Sequence, residues 1–171
     1  MKFFGIIFCS LSISGLIIAQ NSPQKFTDYP AKIYKGNIHK PKWIRHVQGD
    51  EWRDELNKFV EPLEVNFAGK YYLAGHSLGT GVWYFTLTDL TTARELNILD
   101  NFATTEIPVP RMRDGRRYST RILSRPNSRL LIVQYRMEPT NVMPESCREK
   151  AYLLQNQRLR RLGKAWSRCR D

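Results

Sequence analysis

The chain has 171 residues, and its 27 lysines and arginines against 16 aspartates and glutamates give a formal net charge of +11. This length is enough for one domain with a modest hydrophobic core. No recognised nucleic-acid-binding motif accompanies the positive charge, so the charge by itself does not indicate a nucleic-acid-binding protein.

Residues 1–20 have the composition of a secretory signal peptide. Lys2 supplies a short basic start, an uncharged apolar run extends from Phe3 to Ala19, and Ala19 is the small residue that a signal peptidase requires. A retained membrane anchor is the alternative, because a run of about 18 apolar residues is the lower limit for a spanning helix. Interior serines and a glycine weaken such a helix. We therefore predict an exported protein, periplasmic or secreted, that meets the membrane only through this segment before cleavage.

Cleavage would remove Cys9 and leave Cys147 and Cys169. An isolated pair of cysteines in an exported chain is most simply a disulfide. It would tie the C-terminal tail to the start of the last apolar segment. Zinc is a poor alternative, since no histidine lies near either cysteine in the sequence and two thiolates do not complete a tetrahedral site. No metal or other cofactor is predicted.

Residues 21–49 are polar and interrupted by prolines, and they predict an irregular arm packed on a single β-rich domain formed by residues 50–171. An edge strand at Ala31–Tyr34 is the one regular element expected in the arm. Asp50 is placed to cap a short helix, which Pro62 ends. The apolar stripe of that helix would consist of Trp52, Leu56, Phe59 and Val60. Four carboxylates fit its solvated face better than a metal site: Asp50, Glu51, Asp54 and Glu55.

From Val65 onward the hydrophobic period changes from helical to strand-like. Turn residues such as glycine, proline and asparagine separate the apolar runs. The predicted strands are 65–74, 82–90, 95–99, 118–123, 129–136, 150–154 and 158–162. We therefore predict a mainly β fold, an antiparallel meander of about seven strands with one short N-terminal helix. The strands would form an open sheet, a sandwich or a propeller-blade-like unit.

Residues 75–79 spell GHSLG, the G-x-S-x-G pattern of the nucleophile elbow in lipases and esterases. In that fold the acid and the histidine of the triad follow the serine, whereas all three histidines of this chain precede Ser77. The residues after Gly79 also favour a strand where the fold requires a helix. We therefore predict that the protein is not an enzyme and interpret residues 75–81 as a glycine-rich hairpin loop. A serine hydrolase that uses Ser77 is the alternative.

The same region resembles a family of small secreted bacterial proteins. Residues 66–71 read NFAGKY, residues 79–81 read GTG, and a strand ends in Asp89. The core of that family consists of NFAGHY, a GCGTGC loop and a strand that ends in Asp. The resemblance extends more loosely over most of the mature chain. It implies a shared fold and export, but no activity, because the family has no established one.

Three positions depart from the pattern of that family. Lys70 replaces its histidine, which argues against a catalytic role at this position. Leu78 and Val82 replace the cysteines of its loop, so any local disulfide is lost and apolar packing is expected instead.

Positive charge is concentrated towards the C-terminus, where residues 111–171 hold 16 lysines and arginines against 5 acidic residues. A solvated basic face is one interpretation. The other is a docking surface, formed by an arginine-rich loop and the glycine-rich loop, for an acidic envelope protein or an anionic surface. The predicted binding residues are Arg111, Arg113, Arg116, Arg117, His76 and Ser77.

Compartment, charge and the incomplete catalytic set together favour a binding or inhibitory module of the cell envelope. An immunity or inhibitor protein for a toxin or a wall hydrolase is one example. Two other classes are kept as alternatives: the serine hydrolase described above, and a structural component of an envelope or secretion complex.

Overall fold

The computed structural model describes residues 23–79, 81–105 and 110–170. The predicted signal peptide, with Cys9, lies outside the described residues. None of the helical turns in the described part is long or apolar enough to span a membrane. The strands of this part are β1 Arg45–Gln48, β2 Glu51–Arg53, β3 Phe59–Val60, β4 Tyr71–Gly79, β5 Val82–Asp89, β6 Arg94–Glu95, β7 Tyr118–Arg125, β8 Ser128–Met137, β9 Ser146–Gln155 and β10 Arg158–Trp166.

The strands form three antiparallel sheets, with the orders β1-β2-β3, β4-β5-β6 and β10-β9-β8-β7. The prediction of a mainly β, antiparallel fold is therefore confirmed, and the described strands do not close a barrel. Strands that are neighbours in a sheet are also neighbours in the chain, as is usual for hairpin connections. The segment between β6 and β7 carries the chain from the second sheet to the third.

The predicted helix from Asp50 to Val60 is wrong, because this stretch forms the β2–β3 hairpin. The carboxylate of Asp54 accepts hydrogen bonds from the backbone N–H groups of Leu56 and Lys58, at 3.0 and 2.9 Å. These bonds close a tight turn in which Asn57 has a left-handed φ of 62°. An aspartate that bonds to the backbone just after it competes with helix formation. The helical turns of the described part are of the 3-10 type, at Phe26–Asp28 and Asp100–Phe102.

Strand boundaries differ from the prediction mainly in the arm and around the NFAGK segment. Residues 31–34, expected as an edge strand, have no strand structure, and β1 lies in the arm instead. The expected strand 65–74 is displaced to β4, because Gly69 adopts a left-handed φ of 82° and turns the chain. The expected strand 95–99 is wrong except at its first residue, because β6 covers only Arg94–Glu95. The other five predicted strands coincide with β5 and with β7 to β10.

Successive residues of a strand point to opposite faces, and β4 is buried on both. One face joins the main core with β5 and β8, through Leu73, Leu87, Leu131 and Val133. The other face packs against residues of the first sheet and the segment before it, through Tyr72, Ala74, Ile44 and Val60. A third cluster, on the other face of β8, is covered by Phe26 and Tyr29 of the arm. The apolar residues 71–74 of β4 therefore lie between packed layers on both faces of the strand.

The predicted disulfide between Cys147 and Cys169 is present, with the two Cα atoms 5.7 Å apart. Beside it, the buried carboxylate of Glu149 accepts a hydrogen bond from the backbone N–H of Arg170, at 3.1 Å, and pairs with its guanidinium. The same guanidinium donates to the backbone carbonyl of Gln24 in the arm, at 2.7 Å. The disulfide and these bonds attach both the tail and the arm to the third sheet.

Candidate functional site

The arginine-rich loop is partly used for structure. Arg116 pairs with Asp114 at 2.9 Å and donates to a backbone carbonyl of the loop before β9, at 3.0 Å. Arg111 donates to a backbone carbonyl of its own loop, at 2.8 Å. Arg113 and Arg117 are exposed, and their side chains have no bonded partner among the described residues. The four arginines that the sequence groups together therefore do not form one free surface.

A more compact group of cations lies on β9 and β10. Arg148 and Lys150 are two residues apart on β9 and so share a sheet face. Arg161 of β10 joins that face, because it pairs directly with Tyr152 of β9. The ammonium group of Lys150 lies 4.5 Å from the ring centre of Tyr135. We call Arg148, Lys150 and Arg161 the basic face.

The charges of the basic face repel one another. Burial and the neighbouring charges of Arg161 and Arg148 lower the pKa of Lys150 below its ordinary value. None of the three cations has a carboxylate partner within the described part of the chain.

Across residues 111–170 there are sixteen lysines and arginines. Those that form ion pairs with described carboxylates are Arg116, Arg136 and Arg170. The positive charge of this region is therefore largely available to a partner.

Residues 75–79 form the end of β4, so the predicted glycine-rich loop is wrong over this stretch. Because strand residues alternate, His76 and Ser77 point to opposite faces of the sheet. His76 is 1 % exposed, which removes it from any macromolecular docking surface. The hydroxyl oxygen of Ser77 accepts a hydrogen bond from the backbone N–H of Gly79, at 3.3 Å. No histidine nitrogen of the described residues bonds to that hydroxyl.

His76 belongs instead to a buried polar centre that the sequence analysis does not predict. Its Nδ1 atom lies 2.9 Å from Oδ2 of Asp54, and its Nε2 atom lies 2.9 Å from Oγ1 of Thr86. Asp54 comes from the β2–β3 turn and Thr86 from β5, so the first and second sheets meet here. Burial raises the pKa of the Asp54 carboxyl, but hydrogen bonds from His76 and from the backbone of Lys58 outweigh it and hold that pKa below its ordinary value. Asp54 is therefore an anion at neutral pH.

Two aromatic rings hold the imidazole of His76. The ring of Tyr84 stacks on it with centres 4.4 Å apart, and the ring of Trp43 meets it edge-on at 4.7 Å. A cavity of about 710 Å³ is lined by these two rings and by all three members of the polar centre. This volume is within the usual range for small-molecule sites.

The NFAGK segment, residues 66–70, stabilises the pairing of β4 with β5. Lys70 forms an ion pair with Asp89 and so joins the start of β4 to the end of β5. The side-chain amide of Asn66 bonds to both backbone groups of Leu73, at 2.7 and 2.8 Å. These contacts give the motif a role in folding that needs no activity.

Comparison of the chain with models of protein families, with curated proteins and with solved structures gave no match. The resemblance to the family of small secreted proteins therefore stays a prediction.

Sequence signals for the two groups were available but weak. The alternation of Arg148 and Lys150 along one strand places both cations on one face, once the strand is recognised. His76 and Thr86 lie on paired strands, where a correct hairpin register brings them to the same face. Asp54 has no such signal, because the apolar spacing of its segment predicts a helix.

Proposed function

We propose that the protein is an exported binding module of the bacterial cell envelope that docks on an acidic partner through the basic face. The observation that carries this proposal is the position of three unpaired cations on adjacent strands, where they repel one another. A carboxylate-rich surface placed against them would offset that repulsion.

Edge protection is the main structural explanation for cations on these strands. β10 is the outer strand of its sheet, and lysines or arginines on an edge strand prevent pairing with other chains. That explanation suits Arg158 and Arg160 of β10. It does not suit Arg148 or Lys150, because β9 lies inside the sheet, with a hydrogen-bonded strand on each side. The inner position of two of the three cations therefore favours a binding role.

The proposed partner is an acidic envelope protein, and inhibition of a toxin or a wall hydrolase is the form of binding we propose. A rigid sheet presents the cations with fixed spacing, which favours a protein with a defined carboxylate pattern over a uniformly anionic surface. Such contacts raise the association rate and weaken as salt screens them, because the screening length falls to about 8 Å at physiological ionic strength.

The test is a pull-down of the mature, oxidised protein from the envelope of its own cells, at low and at raised salt. One acidic protein should be retained at low salt and released at high salt. A variant with Arg148→Gln, Lys150→Gln and Arg161→Gln should lose that protein.

The matched control carries Arg113→Gln, Arg158→Gln and Arg168→Gln, which removes the same charge away from the basic face. It should retain the partner. Equal loss in both variants would show that net charge acts without a site and would contradict the proposal. If the protein instead retains membrane proteins in fixed stoichiometry at every salt concentration, the result would favour a structural component of an envelope complex.

A further inference from the structure

The polar centre around His76 has the connectivity of a nucleophile, a base and an orienting acid. The Asp54 carboxylate is bonded to Nδ1 of His76, and Nε2 of His76 is bonded to the hydroxyl of Thr86. Hydrolytic triads use the same two ring nitrogens in the same order, on several unrelated folds. A hydroxyl within hydrogen-bond reach of a histidine that a third group orients is the general signature of an activated nucleophile.

The protonation pattern follows from the contacts of Asp54. Its carboxylate is fixed by two backbone N–H groups, from Leu56 and Lys58, and stays ionised at neutral pH. The carboxylate therefore accepts a hydrogen bond from the Nδ1–H group of His76. In the neutral imidazole this leaves the lone pair of Nε2 directed at Thr86, whose hydroxyl then donates to it.

The surroundings restrict the imidazole and limit water around it. Tyr84 and Trp43 contact the ring from two sides, and His76 and Asp54 are each 1 % exposed. Thr86 is partly exposed and lines the cavity.

We propose that Thr86 is the nucleophile of an acyl-transfer site that hydrolyses small carboxylic esters, with His76 as its general base and Asp54 as the residue that positions the base. The Thr86 oxygen attacks the ester carbonyl carbon while its proton moves to Nε2 of His76. The alcohol leaves with that proton, and the acyl group stays on Thr86. Water then attacks the acyl group and gives a proton to Nε2. The carboxylic acid leaves, and the Thr86 oxygen recovers the proton from His76.

The charge of the cavity sets the class of substrate. Three carboxylates line it, from Asp54, Glu55 and Glu95, against one cation, Lys42. Neither Glu55 nor Glu95 forms an ion pair with a described residue. Burial raises the pKa of Tyr84, and the charges of Asp54, Glu55 and Glu95 raise it further. The cavity is thus negative in a basic protein, so neutral or cationic esters are favoured over anionic ones. This site shares no residue with the basic face and does not depend on it.

The experiment is labelling of the mature, oxidised protein with a neutral alkyl fluorophosphonate, followed by mass spectrometry of its peptides. The hydroxyl oxygen displaces fluoride at phosphorus, and the released proton passes to His76. We expect the adduct on Thr86. An adduct on Ser77, or no adduct, would overturn the proposal. Peptide mapping of the unaltered protein identifies the labelled residue without any variant.

Variants extend the test to turnover of p-nitrophenyl acetate. Thr86→Val keeps the shape of the side chain but lacks the hydroxyl, and it should lower kcat/KM on the order of 100-fold. Thr86→Ser should keep both labelling and turnover. The matched control is Thr88→Val, two residues along the same face of β5. Its buried hydroxyl has no bonded partner in the described structure. This variant should change neither the labelling of Thr86 nor the turnover of the ester. Equal activity in Thr86→Val and the unaltered protein would overturn the assignment, and faster turnover of an anionic ester would overturn the substrate class.

Discussion

Gly69 is the residue at which the arm, the start of β4 and the β7–β8 turn come together. Its N–H donates to the backbone carbonyl of Pro126 at 2.7 Å, and its carbonyl accepts from the N–H of Tyr34 at 2.6 Å. A Cβ atom at this position would overlap with the backbone carbonyl oxygen of Lys32. The φ of 82° adds a second reason for glycine, because residues with a side chain rarely adopt it.

Gly69→Ala should therefore lower the free energy of unfolding by more than about 2 kcal/mol, the sum of left-handed strain and steric overlap. Gly115→Ala is the matched control, because Gly115 has the same φ of 82° but open space where a Cβ would lie. Its cost should be about 1 kcal/mol, from backbone strain alone. Urea unfolding of the two variants measures the difference. Equal losses of stability in the two variants would show that the arm moves to accommodate the Cβ atom at position 69, which would contradict the prediction.

At the scale of elements, the β9–β10 hairpin combines a strong sheet with an unfavourable turn residue. Asn156 and Gln157 connect the strands, and both have left-handed φ values, of 50° and 58°. This pattern is typical of the two-residue turns that match the twist of a hairpin. Asparagine tolerates the left-handed region, whereas glutamine does so at a cost.

Gln157→Gly should raise the free energy of unfolding by up to about 1 kcal/mol, because it removes left-handed strain and yields the preferred Asn-Gly turn. Gln155→Gly places glycine in the adjacent extended strand residue and should lower stability by about 0.5 to 1 kcal/mol. Thermal unfolding followed by circular dichroism compares the two variants. A loss of stability in Gln157→Gly would contradict the turn assignment.

At the scale of the whole molecule, the disulfide holds the last part of the chain against the third sheet. Cys147 and Cys169 lie 22 positions apart in the sequence. Beyond the second cysteine, Arg170 reaches Glu149 in β9 and the carbonyl of Gln24 in the arm. Loss of the crosslink would thus release the tail and expose a buried carboxylate that needs its partner.

Replacement of both cysteines by serine should lower the free energy of unfolding by about 3 kcal/mol, as expected for a closed loop of this length. Hydrogen exchange should accelerate in the tail and at the start of the arm, because both depend on the Arg170 contacts. The single replacement Arg170→Gln in the oxidised protein removes the ion pair with Glu149 and keeps the disulfide. It therefore measures the contribution of the ion pair separately from that of the crosslink. Unchanged unfolding in the double-serine variant would show that the crosslink adds nothing to stability.

The sequence by itself determined the class of fold, five of the predicted strands and the disulfide. Each of these rests on a local pattern or on simple counting: alternating apolar residues, turn residues between them, and two cysteines outside the predicted signal peptide. The same local patterns gave the wrong structure for residues 50–60, where the apolar spacing also fits a hairpin. Asp54 decided that case through hydrogen bonds that no periodicity reveals.

Only the tertiary structure decided which charged and polar groups act together. Four arginines that are close in sequence divide between internal bonds and solvent, while Arg148, Lys150 and Arg161 meet because two strands pair. Asp54, His76 and Thr86 meet across two sheets although the bonded pairs lie 22 and 10 positions apart in the sequence. The physical reason is that side-chain hydrogen bonds act over about 3 Å in space. Strand register and sheet packing, which arise from the whole chain, determine which residues come that close.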